Sequence, residues 1–381
     1  MKIVHICMSQ YSDGWTYQEN MLTKYHSKEG NDVTIITSEY CYNEGKLVKD
    51  DKETFIDCNG CWVIRLKRRK KGIFGKMPRY ENFYATLEMC APDIIFSHGC
   101  QYVDIKYVKR YVEYNKDVKL YIDNHADFSN SATNWVSKNV LHKVIWKHYA
   151  QLVEPVTQKF WGVLPARVDF LTQMYKLPKE KCELLVMGGD DERINMSNDE
   201  TKIKQLRHQW KIKDDDFLIV TGGKIDKAKK ETLQLMEAVK AIEKMNVKLL
   251  VFGSIVPELK ADVDALIDGN RIQLVGWLQP DETYDYFAIA DLVIFPGRHS
   301  VFWEQVAAQG IPMVVKEWRG TKHVNVCGNV EFLKMVTADS IKSEILKFVN
   351  DDEKYNRMKV NAIKAMPHFL YSEIALKCIK I

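Results

Sequence analysis

The chain has 381 residues, 46% of them hydrophobic and 28% charged, with 55 lysines and arginines set against 51 aspartates and glutamates. That length exceeds what one hydrophobic core usually organises, so two domains are expected. A formal net charge of +4 excludes a protein sheathed in basic surface for nucleic acid. The nine cysteines are scattered without a framework, as in reduced cytosolic proteins. Cys58-Asn-Gly-Cys61 is a lone CxxC without a second pair, so it reads as a turn before a strand rather than a metal or redox site. The apolar opening Ile3-Val4-His5-Ile6-Cys7 has strand length and is too short for a secretory leader, and no stretch approaches the roughly 18 to 20 apolar residues of a membrane span. A cytoplasmic protein is expected, attached to a membrane at most peripherally on its inner face.

In chain order, strands are expected at Ile3–Met8, Val33–Thr37, Trp62–Leu66, Asp93–Ser97, Lys119–Asp123, Lys159–Leu164 and Glu183–Met187. β-Branched runs alternate with helical patterns between them, the mark of a parallel sheet covered by helices. After the first strand, Thr16-x-x-Glu19 has the spacing of a capping box at a helix start, and Gly30 suits that helix's C-terminal stop. The polar interval from Gly188 to Asp216 separates a second set of strands at Phe217–Val220, Lys248–Phe252, Ile272–Val275, Leu292–Phe295 and Met313–Val315. Asp190-Asp191-Glu192 and Asp214-Asp215-Asp216 bracket that interval and read as turn and cap chemistry. The expected fold class is α/β, with an N-terminal domain over residues 1–190, a linker over 191–215 and a C-terminal domain over 216–365.

The richest chemistry lies in the second set. Behind Phe217–Val220, Gly222 and Gly223 let the backbone approach a ligand closely, and Lys224, Lys227, Lys229 and Lys230 crowd the turn that follows. Behind Leu292–Phe295, the loop Pro296-Gly297-Arg298-His299-Ser300 opens a helix for which Ser300 is the expected N-cap, and free amides at such a start favour anions. A glycine-basic turn and a helix start suit a diphosphate, which makes a nucleotide-sugar the leading ligand. Lys224 and Lys229 are the preferred phosphate partners, and Glu304, one turn into the helix, is placed to accept hydrogen bonds from sugar or ribose hydroxyls.

In the first set, His125 follows Lys119–Asp123 on the edge where open α/β sheets place ligands, and His98 occupies the same place behind Asp93–Ser97. The loop Gln10 to Trp15 sits on that edge too. Asp262 and Asp264 fall two apart within a helical pattern and diverge, so no essential divalent metal is expected. Arg65, Lys67, Arg68, Arg69, Lys70, Lys71, Lys76 and Arg79 form the densest basic run, of a kind drawn to anionic lipid surfaces. No serine-elbow or His-Glu-x-x-His pattern points to a hydrolase.

Together these motifs resemble the retaining glycosyltransferases of family 4. Asp13-Gly14-Trp15-Thr16-Tyr17-Gln18-Glu19-Asn20 and Gly30 to Thr37 look like that family's first glycine loop and second strand. Gly223-Lys224 to Lys229 looks like its basic diphosphate motif, with lysine at 224 where arginine is usual. Val275-Gly276-Trp277, Ala290-Asp291 to Pro296 and Gly310-Ile311-Pro312 match its C-terminal region in order. Aligned from Gly310-Ile311-Pro312, the second of the family's paired glutamates falls on Gln305 beside Glu304, and the first falls in a shortened loop at Arg298-His299.

The resemblance implies the GT-B architecture, two Rossmann-like domains facing a cleft, with the final helix, 366–381, crossing back onto the first. It implies transfer of a hexosyl or N-acetylhexosaminyl group from a nucleotide-sugar, a UDP-sugar by preference, to a glycan acceptor such as a lipid-linked one, without a cofactor or metal. His125, Lys224, Lys229 and Glu304 would be the catalytic set, and Gly14, Gly222, Gly223, Gly276, Trp277, His299, Ser300, Val301 and Gln305 would line the donor. Trp15, Tyr17, His98, Arg68, Arg69 and Lys70 would face the acceptor or a membrane. Two other readings stand beside this one: a nucleotide-sugar epimerase or inverting transferase on the same architecture, and a catalytically silent nucleotide-sugar binder.

Overall fold

β-Branched and aliphatic runs buried on both faces form the strands of two parallel sheets, one in each of two units, residues 1–186 with 374–381 and residues 187–373. The computed structural model describes residues 1–43, 46–69, 77–226 and 230–380.

The first unit runs β1 (Lys2–Cys7), α1 (Gln18–Lys28), β2 (Asp32–Ser38), β3 (Tyr40–Asn43), β4 (Lys46–Lys49), β5 (Thr54–Ile56), β6 (Trp62–Leu66), α2 (Phe83–Cys90), β7 (Ile94–His98), α3 (Ile105–Tyr114) and β8 (Lys119–Asn124). A π-helical segment, Ser137–Trp146, then leads into α4 (Lys147–Val153), β9 (Thr157–Gly162), α5 (Pro165–Gln173) and β10 (Cys182–Leu184). The sheet order is β10-β9-β8-β7-β1-β2-β6-β5. Every expected strand is present, and the structure adds the antiparallel edge strand β5 and the β3-β4 ribbon. The three residues of β5 alternate exposed, half-buried, exposed, too short a pattern to stand out in sequence. β1 runs beside β2 on one side and β7 on the other, so the strand order reverses between β1 and β7, where open sheets leave a crevice at the carboxyl ends.

The capping box expected at Thr16 is not what starts α1. Tyr17 is the N-cap, without a side-chain cap bond, and the stop at Gly30, with φ +78°, is as expected.

The second unit begins with α6 (Asp191–Ser197) and α7 (Glu200–Gln209), so the interval expected as a linker is two helices of this unit. Asp190 and Asp199 cap them by accepting from the amides of Glu192 and Lys202, and Arg207 of α7 donates to the Ile289 carbonyl at 2.8 Å. There follow β11 (Phe217–Gly222), α8 (Glu231–Lys240), β12 (Val247–Phe252), α9 (Pro257–Asp264), β13 (Ile272–Gly276), α10 (Glu282–Ala288), β14 (Leu292–Phe295), α11 (Phe302–Ala308), β15 (Met313–Lys316), β16 (Val330–Leu333), α12 (Ala338–Val349), α13 (Asp352–Ala365) and α14 (Tyr371–Ile379). The order β13-β12-β11-β14-β15-β16 reverses between β11 and β14. Of these strands only β16 has no counterpart among the expected ones.

α14 starts in the second unit, where Ser372 bonds to Asp191, and ends in the first. There the Cys378 carbonyl accepts from the Trp161 indole at 3.1 Å and the Ile379 carbonyl from the Tyr121 hydroxyl at 3.2 Å.

Three glycines close the base of the β11 and β12 loops. A Cβ on Gly222 would lie 2.1 Å from the Phe252 ring, and one on Gly253, whose φ is +121°, would lie 2.0 Å from the Gly223 carbonyl oxygen. The glycine pair expected to admit a ligand thus first admits its own neighbours. Gly253→Ala combines backbone strain with a backbone clash and should cost about 1 to 3 kcal/mol or more. Urea denaturation should show a lowered midpoint with an unchanged slope, and a wild-type midpoint would contradict this packing.

Candidate active site

In the second unit, β11 and β14 lie side by side in the sheet, and their carboxyl ends deliver two loops to the reversal point. Pairing of Ile225 with Ile255 ties the first loop to the one behind β12, and Lys224 beside it is exposed. Lys229 lies outside the described residues. The second loop starts from buried Pro296 and Gly297 and turns outward at Arg298. Ser300 is not the N-cap of α11: Val301 is, and the Ser300 carbonyl accepts from Trp303 N–H at 3.0 Å. Ser300 is half-buried and Val301 exposed. Gly276 and Trp277 stand behind β13, Gly276 with φ +93° and Trp277 at 64% exposure.

Glu304 is fully buried and has no exposed face to offer a hydroxyl. Its Oε1 accepts from His299 Nε2 at 2.8 Å and from His323 Nε2 at 2.7 Å. Burial raises the carboxyl pKa, but the two imidazoles more than reverse this and hold it at about 2. The carboxylate therefore fixes His299 beneath the loop, and any influence on a ligand passes through that ring. Gln305, one residue on and turned about 100° around the helix, donates to Thr283 Oγ1 at 3.0 Å on α10. His323 was invisible to sequence reasoning, because nothing near it marks a partner for Glu304. Arg298, whose guanidinium lies 5.5 Å from the Trp318 ring, is an exposed cation on the second loop. Lys316 is already paired with Glu231 at 2.7 Å.

On the first unit's sheet edge, Gly14 takes φ +75°, while the Trp15 ring stacks on Tyr42 at 5.6 Å and meets Tyr17 edge-on at 5.0 Å. Asp13 accepts the Cys58 amide at 3.0 Å, and Asp57 accepts those of Asn59 and Cys61, so the CxxC is a turn.

His98 and His125 converge on Asp123, whose Oδ2 lies 2.8 Å from His98 Nδ1 and 3.3 Å from His125 Nε2. Burial lowers the His125 pKa, Asp123 raises it by more, and the net shift is upward. Asp123 stands two residues before His125, a spacing that places both on one face of an extended strand, and that was the available signal. The 2.7 to 2.8 Å contacts in this group and in His299-Glu304-His323 are hydrogen bonds of ordinary length, and the 3.3 Å contact of His125 is longer.

The basic run divides. Arg65 is internal, donating to the Tyr11 and Ser38 carbonyls and paired with Asp50 at 3.0 Å, which corrects its place among surface charges. Lys67 pairs with Glu53, and Arg68 lies over the Tyr40 ring at 4.4 Å. Arg69 is tied to Arg79 through the backbone, and Lys70, Lys71 and Lys76 lie outside the described residues. Among the described residues, no helix is long and apolar enough to cross a membrane.

Residues 202–365 match the family described as "Glycosyl transferases group 1". No curated protein matches the chain by sequence. Among solved structures, the chain is similar to Alr3699/HepE of Anabaena in complex with UDP, at 16% identity and a TM-score of 0.70, over 99% of this chain and 98% of that one. A glycosyltransferase of Rickettsia africae gives 14% identity and a TM-score of 0.68 over 98% and 96% of the two chains. The sucrose-phosphate synthase of Thermosynechococcus elongatus gives 15% and 0.66 over the same shares. The fold is therefore GT-B, with two Rossmann-like units. With the matched domain, the chain is a transferase of the GT-B glycosyltransferase class.

Glu304 contributes stability while it is ionised in the fold. Because its folded pKa is depressed, that contribution is complete above the unfolded value of about 4.5 and is lost as pH falls toward about 2. Urea midpoints measured between pH 6 and 2 should decline less steeply in Glu304→Gln than in the wild type. Parallel curves would contradict the ionised pair.

Proposed function

We propose that the chain is a retaining glycosyltransferase that takes a hexosyl or N-acetylhexosaminyl group from a nucleoside-diphosphate sugar, by preference a UDP-sugar, and gives it to a lipid-linked glycan in surface polysaccharide synthesis. The observation that carries the reading is the meeting of the β11 and β14 loops at the strand-order reversal, where Lys224 and Arg298 are both exposed. A phosphate-binding loop belongs at that point of an open α/β sheet. Bound UDP in the Anabaena relative supports a uridine nucleotide. The family resemblance supplies retention and the glycan acceptor.

In this mechanism the bond from the anomeric carbon to the donor phosphate oxygen breaks as the acceptor oxygen bonds to the same face, and the acceptor proton passes to the departing phosphate. Negative charge grows on the diphosphate, so cations placed before the reaction lower the barrier. Lys224 and Lys229 take that role, with Arg298 beside them. Gly222, Gly223, Ser300 and Val301 shape the diphosphate pocket, and Gly276 and Trp277 lie toward the nucleotide. Glu304 acts by holding His299, while Gln305 is anchored to α10. His125, with Gly14, Trp15, Tyr17 and His98 nearby on its sheet edge, addresses the sugar and acceptor. Arg69 and the basic residues that follow it supply attraction to anionic lipid without Arg65.

Lys224→Ala and Lys229→Ala should each lower kcat/KM by roughly 100- to 1000-fold, the cost of about 2.7 to 4 kcal/mol seen when one donor to developing charge is lost. UDP at a hundredfold over its dissociation constant should raise wild-type stability by about 2.7 kcal/mol. Turnover of both variants within a few-fold of wild type would remove the lysines from the mechanism. An inverted product anomer would refute retention, and epimerised donor formed without acceptor would mark an epimerase.

A further inference from the structure

Beneath the ligand edge of the first unit, three histidines from separate elements form an unbroken chain. His26 on α1 places Nε2 2.9 Å from the Ala375 carbonyl of α14. His5 in β1 bridges His26 Nδ1 at 2.9 Å and His98 Nε2 at 3.0 Å, and His98 Nδ1 meets Asp123 Oδ2 at 2.8 Å. His5 and His26 are wholly buried and the His98 side chain is 6% exposed.

Both ends of this chain are acceptors: a backbone carbonyl and a carboxylate. A neutral imidazole has one N–H and one lone pair, and only the imidazolium donates from both nitrogens. The hydrogens can be followed from the carbonyl end. Ala375 accepts, so His26 Nε2 carries hydrogen and Nδ1 must accept. His5 Nε2 then donates and its Nδ1 accepts. His98 must therefore donate from Nε2 to His5, and its Nδ1 donates to Asp123 when that carboxyl is ionised. The four contacts need four hydrogens, and three neutral rings hold only three.

The Cys378 thiol does not relieve the shortage. It has its own acceptor in the Ala375 carbonyl at 3.3 Å and lies 3.6 Å from His26 Nε2, where a lone pair on Nε2 would face the carbonyl. Nor, among the described residues, does another cation pair with Asp123. Its ion-pair partners among the described residues are His98 and His125, and its Oδ1 is buried without a partner.

We propose that the chain His26-His5-His98 holds one excess proton, seated on His98 as an imidazolium against Asp123, and that this buried ion pair positions His125 at the ligand edge. His125 shares Oδ2 with His98, so the pair fixes the carboxylate that orients its ring. With Asp123 balanced from below, His125, whose side chain is 42% exposed, is the member of the cluster open to solvent. The groups facing the cluster are Glu19 of α1, Cys7 of β1, Cys378 of α14 and Arg167 of α5. The directions of shift agree with the hydrogen count. Burial, with the neighbouring rings, pushes His5 well down and, despite its bond to Ala375, His26 to about 4. Burial pushes Asp123 up, yet His98 and His125 bring it well below the carboxylate range.

Where the proton sits does not depend on what the enzyme transfers; only its bearing on the acceptor side rests on the transferase reading. The full-length protein labelled with 15N in histidine tests it without an activity assay. Imidazole nitrogen spectra at pH 7.5 should show the His98 ring protonated on both nitrogens, identified by the signals lost in His98→Gln or by through-space contacts to Asp123 and His125. The His5 and His26 rings should be neutral, protonated on Nε2. The cationic signals should vanish in Asp123→Asn. A neutral His98 ring in the wild type, or a cationic His98 ring unchanged in Asp123→Asn, would overturn the assignment, as would loss of its signals on adding Zn2+ to a stoichiometric complex. If neither variant folds, the wild-type spectrum alone decides. Should catalysis be measurable, Asp123→Asn should displace the pH profile of kcat/KM relative to wild type, which a merely structural defect would lower without displacing.

Discussion

The reversal of strand order in each parallel sheet is the constraint on which the rest depends. Parallel strands bury both faces under helices and leave their carboxyl ends as the one place where loops converge without a covering layer. In the first unit the reversal falls between β1 and β7, and in the second between β11 and β14. Gly223 and Lys224 follow β11, and Gly297, Arg298 and His299 follow β14, while Gly14 lies in the loop behind β1 and Gly99 directly behind β7. The chemistry is thus gathered by topology, and the residues need not be near one another in sequence.

Each reversal point also holds a buried carboxylate clamped by two imidazoles: Asp123 between His98 and His125, and Glu304 between His299 and His323. A buried carboxylate without partners is costly, so these pairs fix their histidines firmly. The consequence differs between the units. The first presents His125, partly open to solvent, at the sheet edge. The second sinks its carboxylate completely and leaves Lys224 and Arg298 exposed. The proposed function uses that division, assigning the donor diphosphate to the second unit and a hydroxyl-bearing partner to the first.

Much of the fold was legible because strand signals are local. Val33–Thr37, Lys119–Asp123 and Leu292–Phe295 are short apolar runs bounded by turn residues, and the structure places strands on all of them. β5, the β3-β4 ribbon and β16 escaped, since their side chains do not alternate over enough residues to rise above the surrounding polarity. Local chemistry misled where two readings share one pattern. Thr16-x-x-Glu19 has capping-box spacing, yet Tyr17 starts the helix; Arg65 sits in a basic run, yet it is swallowed by the Tyr11 and Ser38 carbonyls and Asp50. The polar interval 191–215 looked like a tether because its helices carry charged outer faces, while Arg207 fastens it inward. Histidines 5 and 26 were unreadable as a chain, because three separate elements and the last helix must assemble before their nitrogens meet.

The central claim is that a diphosphate is neutralised where the β11 and β14 loops meet. A crystal structure of the enzyme with a UDP-sugar tests it most directly. The account predicts phosphate oxygens within hydrogen-bond reach of Lys224 and of the backbone from His299 to Val301, with the uracil toward Trp277. Phosphates bound elsewhere, with Lys224 and that loop turned to solvent, would contradict it.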